Sequence, residues 1–186
     1  MFRRFGLFEK DIDLRYGAWK TMANPSDADF EELLARYRRP VLNFVYRLLG
    51  DATESEDVAQ EVFIRAYQHW NEFDPRRKVS TWLFALARNA AIDRLRYRQR
   101  HPVEPLDSVP EPATVSREVE TRELGDQIAA AIQSLPEDQR TAIVLAEYHG
   151  LSHAEIAEVM HGSEKSVESR LYRARQSLRI ALAPLL

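Results

Sequence analysis

GLSHAEIAEVMHGSEKSVESRLYRARQSLR, residues 150–179, decides the fold. It reads as two helices joined by a tight turn, the second one basic. Gly150 suits a helix C-terminal position, where a residue without Cβ takes positive φ cheaply. Ser152 and Glu155 have the spacing of a capping box. Ala154, Ile156, Ala157, Val159 and Met160 make the first helix short and mostly apolar, and Gly162 breaks it. Ser163 is a good N-cap for the next helix. There Val167, Leu171, Ala174 and Leu178 recur at i, i+4, i+7 and i+11, one buried stripe. Lys165, Arg170, Arg173, Arg175 and Arg179 fall off that stripe. A helix held by its apolar face with arginines outward is what a helix-turn-helix places in a DNA major groove. Two ordinary amphipathic helices with a solvated basic face would show the same pattern.

Upstream, residues 136–148 carry Ala142, Ile143, Leu145, Ala146 and Tyr148 on one side, with Pro136 fitting a first helical position. Residues 123–135 repeat the helical period through Leu124, Ile128, Ala131, Ile132 and Leu135. Before them, Pro102, Pro105, Pro110 and Pro112 crowd an acidic stretch. That density predicts an extended, flexible linker over residues 101–122, with a second helical domain over 123–186.

Residues 26–100 read as a first helical domain. Ser26 or Asp27 would cap a helix bearing Phe30, Leu33, Leu34, Tyr37, Val41, Leu42, Val45, Leu48 and Leu49. Pro40 should kink or split it, and Gly50 end it. Ser55 would cap the next helix, whose inner stripe is Ala59, Phe63, Ala66, Tyr67 and Trp70. Asp57, Gln60 and Glu61, at i, i+3 and i+4, share an outward face. After the basic loop NEFDPRRKVS, Ser80 or Thr81 would cap a third helix with Leu83, Leu86, Ala87, Ala90 and Leu95 inward. Arg88, Asn89, Asp93, Arg96 and Arg100 fall on another face. Aromatics among these cations suit stacking on unpaired bases. Phe84 reads better as core, and Trp82 fits either role. Residues 1–25 mix aromatics with both charges and read as an unstructured extension, with Met22 an alternative start.

The 186 residues are 45% hydrophobic and 30% charged, enough for packed cores. Glycine is scarce and β-branched runs are short, so the fold class is all-α: two small helical domains on a proline-rich string. There is no apolar run near the roughly 18 residues of a membrane span and no secretory leader, which predicts a cytoplasmic protein without membrane insertion. The absence of cysteine excludes disulfides, thiolate zinc sites and cysteine nucleophiles. The net charge of −3 says little, but its distribution is uneven. Residues 76–100 hold eight cations and one anion, a net of +7, whereas residues 51–61 hold five acids and no cation, a net of −5. Blocks of opposite sign suggest two different partners. His149 and His153 have i, i+4 spacing, but Gly150 interrupts the helix. With no HExxH, no Gly-rich phosphate loop and no GxSxG, no metal site, cofactor or enzymatic activity is expected.

Three segments in order carry a family resemblance. DVAQEVFIRAY resembles the core-polymerase-binding helix of extracytoplasmic-function (group IV) sigma factors of bacterial RNA polymerase. FDPRRKVSTWLFALARNAAIDRLR resembles their promoter-melting and −10-reading segment. LPEDQRTAIVLAEYHGLSHAEIAEVMHGSEKSVESRLYRARQSLR resembles their −35-reading domain. The resemblance spans residues 27–179. It implies that Asp57, Gln60 and Glu61 meet the polymerase's beta-prime clamp helices. It places Arg76, Arg77, Lys78, Ser80, Trp82, Arg88, Asn89, Asp93 and Arg96 at −10 DNA. Lys165, Ser166, Glu168, Ser169, Arg170, Tyr172, Arg173 and Arg175 would face −35 DNA. Glu168 stands where several members carry a cation; a carboxylate there repels phosphate but accepts from cytosine N4. The implied partners are core RNA polymerase, including its beta subunit, promoter DNA and an anti-sigma factor. An ordinary helix-turn-helix regulator would account for residues 150–179 alone and leave the acidic helix and the basic segment unused.

Overall fold

The computed structural model describes residues 27–101 and 117–185. All regular elements among them are helical: α1 Asp27–Leu49, α2 Ala52–Gln68, α3 Val79–Arg100, α4 Arg117–Gln133, α5 Glu137–Glu147, α6 His153–Val159 and α7 Glu164–Ala181. Short 3₁₀ turns follow α2 and α7. The expected all-α class is observed.

Helices α1, α2 and α3 pack on one another as the first domain. Leu33, Val41, Phe44 and Val45 of α1 are fully buried, together with Val62 of α2 and Leu83 and Ala87 of α3. Pro40 neither splits nor ends α1. Its missing N–H costs one hydrogen bond, but the apolar stripe from Leu33 to Leu48 runs past it on both sides, and that burial outweighs a loss of about 3 kcal/mol. Gly50, at φ 74°, ends the helix and donates its N–H to Tyr46 O at 2.8 Å.

Two caps differ from expectation. Asp51, not Ser55, caps α2, accepting from Glu54 N at 2.8 Å. Ser55 is buried one turn in, where its hydroxyl donates to Asp51 O. Helix α3 begins at Val79 after Lys78, so Ser80 and Thr81 lie inside its first turn and are 1% exposed. Burial of Val79 draws the first turn forward. In the second domain Pro136 is the N-cap of α5 rather than its first helical residue. Helix α4 begins at Arg117, six residues before the expected 123, because the prolines all lie upstream of it. The linker's prolines and the N-terminal extension lie outside the described residues.

The two domains do not hang apart. Helices α4 and α5 pack on α1, and α6 packs on α3. The joint is the C-terminal end of α1, whose last carbonyls have no partner within the helix. Tyr46 O takes Gly50 N. Arg47 O accepts from Gln133 Nε2 at 2.8 Å, Leu48 O from Arg140 Nη1 at 2.6 Å, and Leu49 O from Arg98 Nη1 at 3.0 Å. Two of those three caps come from the second domain, and cations suit this negative helix end. A Cβ on Gly50 would meet the Gln133 side chain at 3.2 Å, so glycine serves the approach as well as the turn. Arg47 lies 3.6 Å from the Tyr148 ring centroid, and His149 packs against both Phe44 and Phe84, which also touch each other.

Candidate nucleic-acid interface

Capping boxes start both helices of the helix-turn-helix. Ser152 pairs with Glu155 at α6, and Ser163 pairs with Ser166 at α7. The left-handed residue between them is His161, at φ 51°, one position before the expected breaker Gly162. A Cβ at Gly162 would meet Ser166 Oγ at 3.0 Å, so the glycine leaves room for the cap. Val167, Leu171, Ala174 and Leu178 are buried, as their spacing predicts. They fix α7 against α5 and α6 and set its other face outward.

That outer face is not uniform. Lys165, Glu168, Ser169, Tyr172 and Arg173 are exposed. Ser166 is occupied by the cap and accepts from Arg170 Nη1 at 2.7 Å. Arg170 turns back to α5, 3.2 Å from Asp138 Oδ2, and Arg175 reaches Glu147 at 2.9 Å. Of Arg170 and Arg173, both expected at −35 DNA, Arg173 is therefore the exposed one.

The −10 candidates divide in the same way. Asn89, Asp93 and Arg96 are exposed along α3, the last two 4.0 Å apart. Arg76 is exposed and bonded to Asp74, whose carboxyl it holds below the usual carboxylate range. Ser80 is buried, so it presents nothing to DNA in this arrangement. Trp82 is half-buried, 5.0 Å from Phe73 and 6.2 Å from Trp70, a packed aromatic cluster rather than an open platform. Phe84 is core, as expected. Arg77 bonds Glu158 at 3.0 Å, Lys78 bonds Glu155 at 2.6 Å, and Arg88 lies 3.5 Å from Asp138. All three of those acids belong to the second domain. Burial pushes the Glu155 carboxyl up, but hydrogen bonds from Lys78 and Ser152 outweigh that and hold it below the usual range.

On α2, Asp57 and Gln60 are exposed and Glu61 is half-exposed, paired with Arg65 at 2.5 Å. Tyr67 is not part of the inner stripe: its ring meets Phe30 edge-on at 5.0 Å and remains 54% exposed. Val58 and Val62 are buried instead. Ile64, 52% exposed, and Tyr67 extend the acidic face by a helical repeat, seven residues after Asp57 and Gln60. That spacing was readable in the sequence, and apolarity alone hid it. Arg47, Gln133, Arg140 and His149, which join the domains, left no local signal.

Among the described residues no helix is long and apolar enough to cross a membrane, and no three His, Asp or Glu side chains converge as a metal site would require.

A helix-turn-helix with an outward basic helix, set beside a second helical domain with a polar α3 face and an acidic α2 face, defines a two-domain DNA-binding protein of the transcription machinery. The chain belongs to the sigma-70 family: residues 33–101 match Sigma-70 region 2 and residues 125–178 match Sigma-70, region 4. Several of its curated relatives are named ECF sigma factors. It is 39% identical over 170 residues to the RNA polymerase sigma-H factor of Pseudomonas aeruginosa, covering 84% of this chain and 88% of that one. It is 36% identical over 175 residues to the ECF RNA polymerase sigma factor SigW of Bacillus subtilis, covering 84% and 90%. Among solved structures it resembles the sigma factor RpoE of Bartonella quintana, in complex with the anti-sigma factor NepR, with a TM-score of 0.69, 25% identity and coverage of 83% and 97%. CnrH, in complex with the cytosolic domain of CnrY, gives 0.67, 28%, 86% and 90%.

Proposed function

We propose that this chain is a group IV sigma factor: it binds core RNA polymerase, recognises −35 and −10 DNA, and helps open the duplex. It acts as a specificity subunit in the cytoplasm, with catalysis residing in the polymerase. The observation that carries the reading is the presence, in one chain, of three separate outward faces. These are Asp57–Gln60–Glu61 on α2, Asn89–Asp93–Arg96 on α3, and Lys165–Glu168–Ser169–Tyr172–Arg173 on α7. An ordinary helix-turn-helix regulator uses the third alone.

The α2 face meets the beta-prime clamp helices, with Ile64 and Tyr67 adding apolar area to the acids. The α3 face reads −10 DNA and the α7 face reads −35 DNA. An anti-sigma factor is a natural partner, since the similar RpoE and CnrH structures hold their chains in complex with another protein. In vitro transcription with core polymerase on a genomic library, with the 5′ ends sequenced, tests the whole reading. Start sites that depend on the chain and share two upstream elements are expected. Transcripts identical with and without the chain would overturn it.

A further inference from the structure

Helix α3 carries three aromatics, and the fold takes two of them out of reach. Phe84 is core, and Trp82 packs on Phe73 and Trp70. Tyr97 is the third, and it is 54% exposed. It follows Asp93 by four residues and Asn89 by eight, continuing the helix face assigned to −10 DNA. About 12 Å of helix separate it from Asn89, so it stands at one end of that face.

The Tyr97 ring is held in place. The imidazole of His101 stacks on it, with 4.3 Å between centroids and 22° between planes. His101 is the C-cap of α3, and its Nδ1–H donates to Tyr97 O at 3.1 Å, which fixes the imidazole over the phenol. One face of the phenol is thus covered while the residue stays more than half exposed, so the opposite face is the open one. The neighbouring cations divide. Arg98 is held by Glu54 and Leu49 O, whereas Arg96 and Arg100 are exposed.

We propose that Tyr97, backed by His101, is the stacking site for one unpaired base of the opened promoter strand. Arg96 and Arg100 hold the flanking phosphates; this rests on α3 reading −10 DNA. In a duplex both faces of a base are covered by its neighbours, so an open ring face takes a base only after it leaves the stack. Every base has such a face, so the site adds affinity for open strand without adding sequence preference. Because the phenol is already fixed, little ordering is left to lose on binding. A site that takes the base only from open DNA favours the melted promoter over the closed one.

The test uses core polymerase assembled with the full chain, on a promoter whose −10 region is pre-melted by mismatches. Tyr97→Ala should bind it about 5- to 150-fold more weakly, the range for losing one stacked base. Tyr97→Phe keeps the ring and should stay within about twofold of wild type. Binding to the closed duplex should change in neither. Bases of the melted strand are then replaced one at a time by abasic sites. At one position wild type and Tyr97→Ala should bind equally. Circular dichroism checks that α3 is intact, and Tyr97→Leu, apolar but without an aromatic face, repeats the comparison should the alanine variant unfold. Wild-type binding by a folded Tyr97→Ala or Tyr97→Leu overturns the proposal. So does a loss that survives at every abasic position, or one shared by Tyr97→Phe, since either puts the contact at phosphate rather than at a base. Failure of the −10 reading is separable: Asn89→Ala would then also bind the pre-melted template as wild type does. If Tyr97 alone fails, Asn89→Ala remains defective.

Discussion

The imidazole of His149 lies 4.6 Å, centroid to centroid, from the ring of Phe84, deep in the joint between the domains. His149 is 5% exposed, and Phe44 completes the cluster, 5.7 Å from the imidazole and 5.3 Å from the Phe84 ring. Burial, with the nearby Arg47 charge, pushes its pKa down from 6.5 to about 3. Between those two values the unfolded chain binds a proton that the folded chain refuses. Stability is therefore intact above about pH 6.5 and falls as pH drops, by at most about 1.4 kcal/mol per unit. Urea titrations at pH 7 and pH 5 should differ by about 2 kcal/mol in the wild type and by clearly less in His149→Phe. Equal slopes in the two proteins would show that His149 is not the residue responsible.

Arg140 joins more groups than any sequence pattern announced. Its guanidinium bonds Leu48 O of α1, Gln133 Oε1 and, nearer in sequence, Leu135 O at 3.0 Å. Arg140→Met keeps the stem but strands those acceptors, so the folded chain should lose about 2–3 kcal/mol. Because one bond crosses to α1, the distance between dyes placed on the two domains, read by energy transfer, should lengthen too. A variant as stable as wild type would mean that water satisfies these carbonyls equally well.

The helices were legible because their stripes are local. Val167, Leu171, Ala174 and Leu178 obey one period and are all buried. Helix starts were less so. Asp51 outcompeted Ser55 as a cap, and buried Val79 moved the start of α3 ahead of Ser80. The closed joint was not legible at all, since Arg77 and Glu158 are 81 residues apart and each reads as a solvated charge. The same gap affected the site. Spacing marks which residues leave the apolar stripe, but not whether, like Arg88, they then meet another helix.

Trp82 and Asn89 should separate folding from function. Trp82 packs on Phe73 and Trp70, so Trp82→Ala should destabilise the first domain by about 2–4 kcal/mol. Asn89 is exposed, so Asn89→Ala should fold normally yet reduce open-complex formation more than closed-complex binding. Permanganate footprints of melted thymines, read beside circular dichroism, distinguish the two. Normal melting by folded Asn89→Ala would remove α3 from the melting step.

On α2, Gln60→Ala with Glu61→Lys should abolish capture of core polymerase with helicity unchanged, because both side chains point away from the buried Val58 and Val62. Ile64→Ser should weaken capture as well. Ile64 is half exposed on the same face, and burying such a side chain contributes about 1–2 kcal/mol. Full capture by the double variant would mean that the acidic face is merely solvated.

Arg170 and Arg173 lie almost one turn apart on α7, yet the structure gives them different work. Arg170 is held by Asp138 and Ser166, whereas Arg173 is exposed. Arg173→Ala should leave stability within about 0.5 kcal/mol of wild type and weaken −35 binding in the assembled polymerase. If Arg173 reads a base, the loss is about 1–3 kcal/mol and preference relaxes at one position; if it meets phosphate, all sequences weaken alike and the salt slope falls by about one. Arg170→Ala should first cost fold stability, by loosening α5 from α7, and only then DNA binding. Matched binding titrations over a salt series, with thermal melts of both variants, settle the division. Arg170→Ala at wild-type stability, with the larger loss of sequence preference, would reverse the roles: Arg170 would leave Asp138 to enter the groove.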